Sequence, residues 1–101
     1  MDRRRKLQQI LMNILGSNNV YFQPPPTIKL KYPCIIYQRT SGDTNFADNS
    51  PYNFHIRYKI TLICREPEQK ILEKIASLPM CKYDRFYTSD NLNHDVFNIY
   101  F

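Results

Sequence analysis

The chain has 101 residues, 43% of them apolar and 14% aromatic, and carries a net charge of +5. That length holds one domain, taken as residues 1–101, and that apolar content excludes an intrinsically disordered chain. The charge is lopsided: residues 1–42 hold seven basic residues and one acid, and residues 43–101 hold seven and eight, so the basic end suits nucleic acid, an anionic surface or an acidic patch on a neighbouring subunit.

Leu7, Ile10, Leu11, Ile14 and Leu15 recur at i, i+3, i+4, i+7 and i+8, which predicts an amphipathic helix ended by Gly16. Arg3, Arg4, Arg5 and Lys6 fall at its positive end, where the macrodipole disfavours them, so the first turn either frays or meets something anionic. Val20-Tyr21-Phe22 predicts a short strand stopped by Pro24, Pro25 and Pro26. Thr27 to Tyr32 alternates apolar and polar residues, and Cys34-Ile35-Ile36-Tyr37 is an apolar run of the kind found in strands covered on both faces. That block is expected at the centre of the sheet.

From Thr40 to Pro51 the composition shifts to turn-forming Ser, Gly, Asp, Asn and Thr. Beyond it Tyr52, Phe54, Ile56, Tyr58, Ile60, Leu62 and Cys64 all fall on even positions, a strict period of two that predicts a half-buried strand about 43 Å long. A strand of about twice the usual length is expected to form, with Cys34 to Arg39, a long hairpin protruding from the body, with Thr40 to Pro51 as its tip. Ile71, Leu72, Ile75 and Leu78 then repeat at helical spacing between Pro67 and Pro79. Two aromatic-rich strands, Tyr83 to Thr88 and Asp95 to Phe101, close the chain around the loop Ser89 to His94. The fold expected is α+β: one antiparallel β-sheet with two helices packed on one face. Because Val96 to Phe101 runs apolar to the last residue, that strand has to pair inside the sheet or against a neighbour.

Chemistry-bearing constellations are sparse. Cys34, Cys64 and Cys81 are odd in number and lack C-x-x-C spacing, so they read as reduced, buried small hydrophobes. His55 lies on the polar face of the long strand, and His94 shares a loop with Asp90, Asn91, Asn93 and Asp95, where turn-forming hydrogen bonds account for each member. With two glycines, a phosphate-cradling loop is nearly excluded, and neither a nucleophile elbow nor H-E-x-x-H occurs. The expectation is therefore no enzyme, no catalytic or metal-binding residues and no cofactor. Gln8, Gln9 and Asn13 interrupt the first apolar segment and no stretch approaches the roughly 20 apolar residues of a membrane span, so a soluble product made in the cytosol, with no membrane partner, is expected. Basic residues interleaved with aromatics between Ile28 and Tyr37 allow a nucleic-acid surface, but the glycine-and-aromatic pattern of an RNA-recognition module is missing.

Tyr32-Pro33-Cys34-Ile35-Ile36-Tyr37, the strand Arg57-Tyr58-Lys59-Ile60-Thr61-Leu62-Ile63 entering Pro67 and the Ile71/Leu72/Ile75 helix, then Asp84-Arg85-Phe86-Tyr87 and Asp90-Asn91-Leu92-Asn93-His94, follow one another across nearly the whole chain. In that order they resemble the tail terminator, or tail completion, proteins encoded in the head-to-tail gene cluster of long-tailed bacteriophages. The resemblance implies a lambda-terminator-like sheet flanked by helices. It also implies a ring, six copies being usual, on the last ring of tail-tube subunits, which ends tube polymerisation and presents the surface that joins the head. Implied partners are the chain itself, the tail tube protein and a head-completion or stopper protein, with passive contact to DNA or the tape-measure protein in the lumen. Implied localisation is the tail-neck region of the virion, after synthesis in the host bacterial cytoplasm. The chain is short for the family, which bears on the head-facing contact. No catalytic residues carry over. Candidate interface residues are Arg3, Arg4, Arg5 and Lys6 at the helix start, Asn45, Phe46 and Asp48 in the hairpin tip, the adjoining Tyr52, and Phe101. Alternatives are a head-completion protein of the neck, expected as a β-barrel, and a small basic nucleic-acid-binding module.

Overall fold

The first helical stripe does form a helix, α1 (Arg3–Leu15), and Leu7 and Leu11 on it are fully buried. Gly16 ends it in the left-handed conformation, φ 78°, with its amide bonded to the Met12 carbonyl at 2.8 Å. The computed structural model describes residues 3–47, 50–66 and 69–101, and of 41–47 and 50–55 the backbone alone. After α1 come β1 (Val20–Phe22), β2 (Cys34–Ala47), β3 (Ser50–Cys64), α2 (Gln69–Ala76), β4 (Cys81–Ser89) and β5 (Leu92–Tyr100). The strands form one sheet in the order β1-β2-β3-β5-β4.

The architecture is α+β, with both helices on one face, but the sheet is mixed. β1 runs parallel to β2, whereas the other three pairings are antiparallel. The connection explains the departure: residues 23–33 form no strand and carry the chain back far enough to enter β2 in the direction of β1. Thr27 to Tyr32, despite its alternation, is therefore connection, and the central strand is β3, not the Cys34 block.

The period-two strand is present, its Tyr58, Ile60, Leu62 and Cys64 buried as the even positions require. The residues expected as a loop from Thr40 are largely strand as well. β2 and β3 stay paired to Ala47↔Ser50, with register shifts between Arg39 and Ser41 and between Asn45 and Phe46. A ladder supplies backbone hydrogen bonds whatever the side chains, so a polar composition does not prevent pairing. The turn residues 48 and 49 lie outside the described residues.

Two rows cross the helix-covered face. Phe22, Tyr37, Ile60, Phe97 and Tyr83 are neighbours in register across all five strands, as are Val20, Ile35, Leu62, Asp95 and Phe86. Leu7, Leu11 and Ile75 close over the buried part of these rows, each fully buried side chain contributing about 1.5–3 kcal/mol. Tyr37 has 0% exposure and a satisfied hydroxyl, which donates to Gln8 Oε1 at 2.6 Å and accepts from Arg4 Nη1 at 3.3 Å. The opposite face carries no helix among the described residues.

The β4–β5 connection is tighter than the six-residue segment Ser89 to His94 suggests. Both strands run up to Asp90 and Asn91, whose φ values of 52° and 61° make the two-residue turn that matches strand twist. His94 is accordingly a strand residue, not a loop residue. Phe101 is tied to its own sheet, its amide donating to the Ile56 carbonyl at 3.0 Å while its side chain packs against the core.

Candidate interaction surface

β4 is a nine-residue edge strand, and every residue after Cys81 is exposed. Its inner edge pairs with β5; its outer edge has no strand beside it among the described residues. Tyr83 and Phe86 point to the helix-covered face but lie past the helices, at 44% and 53% exposure, and Tyr87 on the other face is 42% exposed. Met80, just before the strand, is exposed with φ 62°. These aromatics are held in place. Tyr83 meets Phe97 edge-on at 5.2 Å and donates its hydroxyl to Asp95 Oδ1 at 2.9 Å. Tyr87 stacks on the His94 imidazole at 4.6 Å and 12°. The Tyr83 bond gives the buried Asp95 carboxylate a partner, and burial of the hydroxyl together with that carboxylate pushes the Tyr83 pKa up.

The other side of the sheet is open too. β1 covers only Ile35 to Tyr37 of β2, so from Gln38 to Ala47 the outer edge of β2 has no neighbouring strand among the described residues. At the start of that stretch the Arg39 amide donates to Gln23 Oε1 at 3.4 Å.

The helix-free face is basic. Gln38, Lys59, Asn98 and Lys82 form one row across four strands, with Arg57 in the same column as Lys59 and Arg85 opposite Val96. The Asp84 carboxylate lies 3.3 Å from Arg85. At the far end of the same face Cys34, Ile63 and Val96 are buried. Burial, with a smaller contribution from Cys64, pushes the Cys34 thiol from 9.0 to about 12, and burial pushes Cys81 to about 11; both are held as neutral thiols.

The described candidate residues named from sequence fall on several elements. Arg3, Arg5 and Lys6 are exposed on the first turn of α1. Arg4 turns inward, its guanidinium 4.7 Å over the Phe22 ring and bonded to Tyr37. Asn45, Phe46 and Tyr52 lie on the paired backbone of β2 and β3, but their side chains, and Asp48 altogether, fall outside the described residues. The β4 aromatics were missed by sequence reasoning. Their signal was the interruption of an aromatic run by Lys82, Asp84 and Arg85, the charges of an edge strand.

Among the described residues no group of three His, Cys, Asp or Glu side chains is placed to hold a metal ion, and no helix is long and apolar enough to cross a membrane. Compared with known proteins, the chain matches no protein-family model, and no curated protein sequence is similar enough to it to carry an inference.

Proposed function

We propose that this chain is a non-enzymatic structural subunit of a phage virion, acting as a tail terminator. Copies form a ring, six being the number expected, at the head-proximal end of the tail tube, where the ring ends tube growth and offers the surface that joins the head. The observation that carries this reading is a sheet open at two different edges, β4 on one side and the Gln38–Ala47 part of β2 on the other. Two unlike sticky edges on one domain favour head-to-tail association, which closes into rings when the rotation permits. The phrases that resemble the terminator family lie on the elements that build those edges: Tyr32 to Tyr37 leads into β2, and Asp84 to Tyr87 lies within β4.

Electron microscopy of the purified protein, alone and mixed with phage tail tubes, tests this together with light scattering. Rings, or caps at one tube end, are expected. A monomer that ignores the tubes at every concentration sinks the proposal.

One observation favours a second reading, a nucleic-acid-binding module: the helix-free face carries Arg57 and Lys59 on β3 and Lys82 and Arg85 on β4, a spread of cations suited to a phosphate backbone. Such a module binds short DNA tightly in low salt, with affinity falling steeply as salt rises, and does so without tail tubes.

A further inference from the structure

Three antiparallel steps, β2 to β3, β3 to β5 and β5 to β4, reverse the chain direction three times, so β4 runs opposite to β2. Two copies set side by side in the same orientation therefore bring β4 of one antiparallel to β2 of the next, the better hydrogen-bonded pairing. The lengths agree: β4 has nine residues, and the outer edge of β2 is open from Gln38 to Ala47. We infer that the partner of the β4 edge is a second copy of this chain, whose β2 outer edge takes β4 as an added antiparallel strand, making one sheet continuous across subunits. This rests on the ring-forming reading and specifies its seam.

A rival arrangement pairs β4 with β4 about a two-fold axis. Full overlap of that kind centres on Arg85, the midpoint of Cys81–Ser89, and sets it against its own copy, a like-charge contact at the middle of the seam. It also leaves the β2 edge of both copies open. The head-to-tail seam covers both edges with one contact, and it brings a second copy alongside the exposed Phe86 and Tyr87.

Hydrogen exchange read residue by residue, with light scattering, across concentrations up to the solubility limit, tests the seam. The expected result is a species larger than a dimer in which outward amides of β4 and of Gln38–Ala47 slow together by about tenfold or more. Phe86→Lys, at an exposed site, is expected to lower the assembled fraction about tenfold while the monomer unfolds at the wild-type midpoint. A dimer protected only at β4, or a monomer with neither edge protected, overturns the inference. With tail tubes present the two proposals separate. Caps that form unimpaired with Phe86→Lys overturn the seam and leave the terminator reading, whereas seam-built rings that ignore the tubes do the reverse.

Discussion

β4 and β5 are adjacent nine-residue strands joined by a two-residue turn, both rich in aromatics, yet one is exposed almost throughout and the other supplies Val96, Phe97 and Ile99 to the interior. Position in the sheet makes the difference. β5 sits between β3 and β4 with its odd residues over the core, whereas β4 has a neighbouring strand on one side only among the described residues and is exposed from Lys82 onward. An aromatic residue in β5 therefore fills the interior, and those in β4 keep about half of their surface in solvent.

The sharpest test compares truncations on the two strands. Phe97→Ala, at 0% exposure, is expected to lose about 3–5 kcal/mol in urea unfolding, and Phe86→Ala about 0.5 kcal/mol or less. Equal losses would break the comparison. Tyr37→Phe, in the helix-covered part of the sheet, is expected to cost about 1–3 kcal/mol, because Gln8 Oε1 loses its donor and Arg4 an acceptor in a half-buried site. Arg4→Ala should cost less, about 1 kcal/mol, and more than Arg5→Ala, since Arg4 is the one that lies over Phe22.

Alkaline pH sharpens the contrast on the helix-free face. The unfolded Cys34 thiol ionises from about pH 9, while the folded one holds its proton to about pH 12. The unfolded state then binds fewer protons, so stability is complete below pH 9 and declines from there towards pH 12. A thermal scan against pH should show this decline, and Cys34→Val should make it shallower, with Cys81, raised to about 11, still contributing. The smallest effect concerns Met80, in the left-handed region at 61% exposure: Met80→Gly is expected to stabilise by up to about 1 kcal/mol.

Local pattern made much of the fold legible. The stripe from Leu7 to Leu15 and the alternation from Tyr52 to Cys64 each encode their element directly, because helix and strand impose periods of 3.6 and 2 on any buried face. Thr27 to Tyr32 shows the limit, since the same alternation occurs in a segment with no strand beside it. The polar stretch after Thr40 errs in the other direction, reading as loop where backbone pairing alone sustains a ladder. The candidate surface was less legible. Arg4 reads as a free cation until Tyr37 and Phe22, far along the chain, are brought beneath it.

By itself, then, the sequence determined the elements whose residues carry their own periodicity or their own stop signal: α1 with Gly16, the inward positions of β3, and the amphipathic α2. Only the tertiary structure decided the parallel entry of β1, the central place of β3 and the exposure of β4. Strand order depends on contacts between residues distant in the chain, and a strand's own composition does not say how many neighbours it will have.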